Sequence, residues 1–572
     1  MTVRWSVTVN DLVRQRAEDP SPGLRCGDAV WSWERHVRLA AQRAAFLAAR
    51  DPRSADPGAR PERPFHVGVL LENVPEYSFL LAAAALSGAV LVGLNPTRRG
   101  AELARDIAHT DCALLLTGDT HIGQLRDAVP DFPAHRLWNT DDPGWLAALA
   151  PYRDAPLPAA APAPDDPFML ILTSGTTGDP KAVVCSQGKI ATQGSGIVAA
   201  QELTGDDVAY CAMPLFHSNA VITCWTPAVA SGATLVLRRR FSASGFLPDV
   251  RKYGVTYANY VGKPLSYILA TPERPDDADT TLTRVFGNEG GPRDIERFAR
   301  RFGCTVRDGF GSTEGGLSFS PVPGMAPGAL GTANGDIRVV DPETREECPR
   351  GRFDAAGRLL NAGEAVGELV NRDGAGAFEG YWNNDAATAD RLRDGWYWSG
   401  DLAYRDADGV FFFAGRSGEW LRVGGENFGA APVARILARY PDIALAAVYG
   451  VPDEAAGDQV MAAVVLRADT DPGEFARGFA AWQERQPDLS PTWRPRYLRV
   501  AAELPLTPSN KVLVRVLARQ AWYAPAPDEV WFRPGRQAAY RPLTGADVTM
   551  AERRFAEHGR AHVLDLLERS RP

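Results

Sequence analysis

The sequence predicts an α/β fold: a large N-terminal domain of βαβ-type sheets with helices plus a small β subdomain, followed by a small α+β C-terminal domain. Three observations carry this reading. The stretch 66-HVGVLLENVPEYSFLLAAAALSGAVLVGLNP-96 reads as strand, helix, strand, the pattern of a parallel sheet covered by helices. Glycine and short strands dominate from about 335 to 415. Past Arg416, a compact unit shows βαβ-like alternation, with apolar runs at 433–437, 444–449 and 460–466.

The elements follow in chain order. The first twenty residues contain no apolar core, so no signal peptide is read there. Residues 51–64 are rich in Pro, Arg and Asp and predict an exposed loop. An apolar strand at 67–71 leads through a polar loop into the longest apolar run, 78–94. That run is Ala-rich, interrupted by Ser87-Gly88, and short of a spanning length. It predicts a buried helix turning into a strand, and a membrane span is the weaker reading. A helix near 99–109 and a strand at 113–116 repeat the unit. A Pro/Ala connector, 150–167, runs into a strand at 168–172. Beyond Tyr523 a tail ends in a helix expected to open on Thr549-x-x-Glu552, a capping-box pattern. The expected divisions are 1–416, 417–523 and an extension, 524–572.

Composition narrows the function. The chain has 572 residues and a net charge of −8, which does not suggest a nucleic-acid partner. Its 7 cysteines are scattered with no C-x-x-C pair, which fits neither a zinc site nor a disulfide framework and suits a reducing, cytoplasmic setting. Of the 62 basic side chains only Lys181, Lys189, Lys252, Lys263 and Lys511 are lysine. Arginine serves as the generic cation here, so each lysine, a compact rotatable point charge, is informative.

The strand at 168–172 delivers 173-TSGTTGDPK-181. Its glycines, hydroxyls and lysine have the chemistry that cradles phosphate, yet the Walker A spacing is absent. Pro180 denies the loop an immediate helix. A flexible loop wrapping a triphosphate is expected from Thr173, Ser174, Gly175, Thr176, Thr177, Gly178 and Lys181. The plainer alternative is a Gly/Thr turn between strands.

Further motifs follow in order: 213-MPLFHSNA-220, 308-DGFGSTEGG-316, 399-SGDLAYRDADG-409, 415-GRSGEWLRVGGEN-427 and 504-LPLTPSNKVLVR-515. Together, over roughly 25–516, they resemble the adenylate-forming superfamily of acyl-CoA synthetases, adenylation domains and luciferases. The segments 240-RFSASGFLPDVRKYGVTYANYVGKPLSYIL-269, 287-GNEGGPRDIERFARRFG-303 and 530-VWFRPGRQAAYRPLT-544 resemble the very-long-chain acyl-CoA synthetases and fatty-acid transport proteins.

The resemblance implies a mobile C-terminal domain and a set of roles. Glu314 would ligate Mg²⁺, a hard cation that takes carboxylate oxygen. Asn288, Glu289 and Gly290 would wall the adenine, with Asp308, Gly309, Phe310 and Thr313 beside it; Phe310 stands where the family usually has Tyr. Asp401 would accept from the ribose hydroxyls, and Arg416 would add a ribose or phosphate contact. His217 would flank the carboxylate pocket. Lys511, far along the chain, would bridge the attacking carboxylate and the α-phosphate as charge builds there. Gly418, where the family usually carries Asp or Lys, would be the hinge. Gly424, Gly425 and Glu426, with Asn427, would lie near the pantetheine path.

The expected function is an ATP-dependent acyl-CoA synthetase that forms acyl-AMP, releases pyrophosphate, and then makes the CoA thioester. ATP, Mg²⁺ and coenzyme A are the implied cofactors and co-substrates. A carboxylic acid is the small-molecule partner, and a homodimer is the oligomer considered. One rival keeps adenylation and changes the acid or acceptor: carrier-protein loading, aryl acids, or nitrite for N–N bond formation. A second rival, a membrane lipid-uptake protein, is opposed by the lack of a spanning helix.

Overall fold

A computed structural model describes residues 5–51, 64–173, 181–322, 325, 329–354, 359–416, 420–423, 426–455, 457–468, 470–486, 489–507, 512–535 and 538–567. It divides into two compact units, 1–316 with 374–395, and 317–373 with 396–572. These units mark packing, and their boundary falls elsewhere than the 416/417 division read from sequence.

The first unit holds two sheets. One is six-stranded, in the order Leu137–Asn139, Leu114–Thr117, His66–Leu70, Val90–Gly93, Pro167–Thr173, Lys181–Ser186. Every pair is parallel except the last, an antiparallel hairpin. His66–Leu70 and Val90–Gly93 are buried at every position, which is why they read as unbroken apolar runs. Between them the run at 78–94 behaves as expected. Helix Pro75–Ser87 is buried from Tyr77 to Leu86, opens on a proline, and stops at Gly88 in the left-handed region before strand Val90–Gly93. It packs on helix Trp33–Ala48, and Arg43 forks onto both oxygens of Glu76 between them at 2.8 and 2.7 Å.

The other sheet is seven-stranded: Thr305–Asp308, Arg284–Asn288, Tyr257–Val261, Val208–Cys211, Thr234–Leu237, Pro22–Cys26, Ala29–Ser32. It is parallel up to its final antiparallel edge strand.

In the second unit, an antiparallel sheet runs Phe319–Ser320, Ala329–Ala333, Val410–Arg416, Trp396–Arg405, Gly367–Asn371, Ile337–Val340. This is the expected glycine-rich β subdomain. A five-stranded sheet follows: Ile443–Pro452, Asp458–Leu466, Tyr497–Val500, Glu529–Phe532, Arg541–Pro542. The run at 433–437 lies in helix Ala430–Leu437, and the runs at 444–449 and 460–466 pair as an antiparallel hairpin. The βαβ order expected there is therefore replaced by helix and hairpin, because the short 453–457 connection leaves no room for a crossover.

The tail belongs to this last sheet. Strand Glu529–Phe532 pairs antiparallel with Tyr497–Val500. The Tyr540 hydroxyl donates to the Pro495 carbonyl at 2.6 Å, and Arg533 Nη1 donates to buried Gln483 Oε1 at 3.1 Å. The last helix opens five residues earlier than expected, at Gly545–Glu557, with Thr544 and Asp547 forming the capping box. Arg541 forks onto Asp547 at 2.7 Å and reinforces that start. Thr549 lies inside the helix, and Glu552 instead accepts from the Tyr523 hydroxyl at 2.7 Å.

Candidate active site

The hairpin Pro167–Thr173 and Lys181–Ser186 carries the Gly/Thr loop at its tip. Thr173 and Lys181 face each other at the mouth, and the Thr173 hydroxyl donates to the Lys181 carbonyl at 3.4 Å. Ser174, Gly175, Thr176, Thr177 and Gly178 lie outside the described residues. A strand follows the loop; helix Gln187–Gln201 begins only after it. This order separates the loop from a Walker A loop, where the phosphate sits on a helix N-terminus.

The residues 379–382 line the exit strand. The Val184 N–H donates to the Gly380 carbonyl at 3.1 Å, and the Trp382 N–H to the Ala182 carbonyl at 2.8 Å. Glu379 accepts from the Ser186 N–H at 2.7 Å and from its hydroxyl at 2.6 Å. Ser186 in turn caps helix Gln187–Gln201 by accepting from the Lys189 N–H.

Two lysines and a tyrosine converge near Glu314. Fully buried Lys189 donates from Nζ to the Glu314 carbonyl at 3.0 Å. The buried Tyr381 hydroxyl lies 3.0 Å from Glu314 Oε1 and 3.3 Å from Arg391 Nε. Lys181 Nζ sits 5.0 Å from the centre of the Tyr381 ring. Burial, then nearby Arg391, holds the Lys181 ammonium below the usual lysine range, against the pull of Glu314 and Asp390. Among the described residues no three His, Cys, Asp or Glu side chains cluster as a metal cage. One carboxylate with a held geometry fits a hard cation that arrives on a triphosphate and keeps phosphate and water oxygens.

The carboxyl ends of the parallel strands bring together a second group, where open α/β sheets place ligands. Asn288 Nδ2 donates to the Gly309 carbonyl at 2.6 Å, and Asn219 Nδ2 reaches both the Tyr260 carbonyl at 3.0 Å and Asn288 Oδ1 at 3.3 Å. Asp308 Oδ2 accepts from the Tyr260 hydroxyl at 2.5 Å and the Gly290 N–H at 2.7 Å. Burial pushes the Asp308 carboxyl up to about 6, although both hydrogen bonds oppose the rise. Glu289 stands between them at φ 64, left-handed without being glycine. At Gly287 a Cβ would come 2.3 Å from the Tyr260 carbonyl oxygen, so only glycine fits that strand position. Phe310 follows in the adjoining loop, half-buried.

His217 lies at the start of the short helix Ser218–Ala220, its ring 4.4 Å from that of Phe216. Asn73 clamps the preceding loop, donating to the Met213 carbonyl at 2.8 Å and accepting from the Leu215 N–H at 2.9 Å. The Ser218 and Thr313 hydroxyls meet at 2.8 Å, so the His217 and Glu314 loops adjoin.

The second unit holds Asp401 and Arg416 opposite each other on neighbouring strands. Asp401 is buried, and its N–H donates to the Ser399 hydroxyl at 3.0 Å. Glu426 begins strand Glu426–Gly429. The side chains of Arg416, Glu426 and Asn427 lie outside the described residues, as do Gly418, Gly424, Gly425 and Lys511.

Tyr381, Lys189, Tyr260 and Asn219 contact the candidate groups without having been singled out in the sequence. Lys189 carried a usable signal, being one of five lysines and eight residues beyond Lys181. Asn219 was already inside the quoted MPLFHSNA block. Tyr260 was likewise inside the 240–269 segment, whereas Tyr381 gave none, since Glu314 and Lys181 are distant from it in sequence.

The sequence profile of the AMP-binding enzyme family matches residues 24–382, and that of the AMP-binding enzyme C-terminal domain matches 433–511. A steroid-22-oyl-CoA synthetase of Rhodococcus jostii (strain RHA1) is 46% identical over 562 residues, covering 97% of this chain and 99% of that protein. The medium/long-chain-fatty-acid–CoA ligase FadD17 of Mycobacterium tuberculosis is 51% identical over 525 residues, covering 92% and 98%. Among solved structures, the anthranilate CoA ligase AuaEII in complex with anthranoyl-AMP superposes with a TM-score of 0.77 at 21% identity, over 91% of this chain and 99% of that one, a likeness of fold. The chain belongs to the AMP-binding enzyme family, and it is an AMP-forming, ATP-dependent acyl-CoA ligase.

Proposed function

We propose that this ligase activates an apolar carboxylic acid with a large carbon skeleton, a medium- or long-chain fatty acid or a steroid side-chain acid. The observation that carries this is the near full-length similarity, at 46% and 51% identity, to two ligases named for those acids. In the first half-reaction the carboxylate attacks the α-phosphorus and pyrophosphate leaves. In the second the coenzyme A thiol attacks the acyl carbon and AMP leaves.

The residue roles are part of the proposal. Thr173 to Gly178 and Lys181 hold the departing pyrophosphate. Asn288, Glu289, Gly290, Asp308, Gly309 and Phe310 enclose the adenine, and Asp401 with Arg416 holds the ribose. Glu314, beside Thr313, would hold Mg²⁺, which neutralises phosphate charge when bound. His217 guards the carboxylate end of the acid pocket. Lys511 supplies positive charge at the α-phosphate, and the domain beginning at 417 swings about Gly418 so that Gly424, Gly425 and Glu426 face pantetheine. The tethered Glu314 carboxylate supports the metal role. The seven unpaired cysteines support a cytoplasmic setting. Among the described residues no helix is long and apolar enough to cross a membrane. A homodimer is checked by light scattering.

The test is pyrophosphate release and thioester formation across a panel: medium- and long-chain fatty acids, steroid side-chain acids, aryl acids, and nitrite with an aryl amine. The highest kcat/KM is expected for a fatty or steroid acid with coenzyme A. Turnover restricted to aryl acids, or to nitrite, would overturn the proposed acid class.

A further inference from the structure

The Tyr381 side chain touches both candidate phosphate-end groups. Its hydroxyl meets Glu314 Oε1 at 3.0 Å, and its ring lies beneath the Lys181 ammonium at 5.0 Å. The direction of the hydroxyl proton follows from its neighbours. Arg391 Nε, at 3.3 Å, can only donate, so the phenol oxygen accepts from the guanidinium and directs its single proton to Glu314. A donor polarised by a cation and aimed at a carboxylate is among the stronger hydrogen bonds.

The backbone gives Tyr381 little freedom. It bridges antiparallel to Val183 on the loop's exit strand, and its N–H donates to the Thr388 hydroxyl at 3.0 Å. The ring packs edge-on against Phe378 at 5.1 Å. Glu379 and Trp382 tie the flanking residues to the same strand.

We propose that Tyr381 is a positioning residue: it fixes the Glu314 carboxylate through Oε1 and seats Lys181 on its ring, setting metal ligand and phosphate-loop cation as one rigid pair. This rests on the reading of Glu314 as the Mg²⁺ ligand. The hydroxyl acts on the metal only through Glu314, as outer groups orient ligands in metal sites.

The test uses Tyr381→Phe, which keeps the ring and removes the hydroxyl, alongside Glu314→Gln and the double variant. Mn²⁺ binding in the presence of a non-hydrolysable ATP analogue is followed by electron paramagnetic resonance. The Mg²⁺ concentration for half-maximal adenylation is measured separately. Tyr381→Phe should weaken Mn²⁺ binding and raise the Mg²⁺ requirement by about 10- to 100-fold, the usual loss when a ligand's hydrogen-bond partner is removed. kcat at saturating Mg²⁺ and KM for the acid should stay within about twofold, because neither depends on the carboxylate once the metal is loaded.

The double variant should bind Mn²⁺ no more weakly than Glu314→Gln alone. Full additivity, or an unchanged Tyr381→Phe beside a crippled Glu314→Gln, would overturn the positioning role and leave the metal role of Glu314 standing. A Glu314→Gln variant with wild-type Mn²⁺ binding would overturn the metal role itself, and this proposal with it. Arg391→Met should shift the Mg²⁺ requirement in the same direction by less than Tyr381→Phe. That keeps the test decisive if Tyr381→Phe folds poorly, and no shift in Arg391→Met would then count against the proposal.

Discussion

At the residue scale, the chemistry is set by what burial does to single groups. Asp308 is the clearest case. Its carboxyl is pushed from about 3.8 to about 6 by burial, so the folded state favours the neutral form. The stability this contributes is present at low pH and is lost as pH rises from about 4 through about 6. The two-unit difference corresponds to roughly 3 kcal/mol between the plateaus. Thermal unfolding from pH 4.5 to 7.5 should therefore show a downward slope with pH in the wild type that is flattened in Asp308→Asn. Lys511 gives a second prediction, for Lys511→Ala. Acyl-AMP formation should fall roughly 10²- to 10³-fold, the usual loss when one charge-stabilising donor is removed. Thioester formation from supplied acyl-AMP should remain near normal. Equal losses in both half-reactions would contradict the assigned role.

At the element scale, the loop hairpin is held by a side chain that also starts a helix. Ser186 caps Gln187–Gln201 and donates its hydroxyl to Glu379. Ser186→Ala should lower stability by roughly 1–2 kcal/mol, the value of a lost N-cap, as read from thermal unfolding. Elements of this kind were the most legible in the sequence. Strands buried on both faces announce themselves as apolar runs, and helix Pro75–Ser87 carries proline and glycine at its two ends. The tail helix was misplaced because two threonine boxes compete, Thr544 with Asp547 and Thr549 with Glu552. Only the first is backed by an arginine fork. Tyr381 was illegible because Lys181 and Glu314 meet it from other parts of the chain, and no local periodicity encodes that meeting.

At the scale of the whole molecule, motif order sufficed to read the family, while the packing boundaries came only from the folded chain. Residues 374–395 return to the first unit after 317–373 have built into the second. Both units are thus discontinuous in sequence, which no composition shift marks. The tail from 524 onward supplies strand Glu529–Phe532 and the buried residues Arg533, Tyr540 and Phe555 to the second unit. Ending the chain at 523 should leave Tyr497–Val500 as an open edge strand. The truncated protein should unfold at a lower temperature by calorimetry and aggregate on expression; an unchanged second-unit transition would show the tail to be dispensable.

The pairing of Val183 with Tyr381 spans nearly 200 residues of chain. During synthesis, at roughly 5–20 residues per second, strand Lys181–Ser186 emerges on the order of ten to forty seconds before the segment that covers its edge. For that interval the nascent hairpin presents unpaired backbone to any other extended segment nearby. A ribosome pausing between these two points would prolong the exposure, so translation speed over 187–379 bears directly on how much of this ligase reaches its folded form.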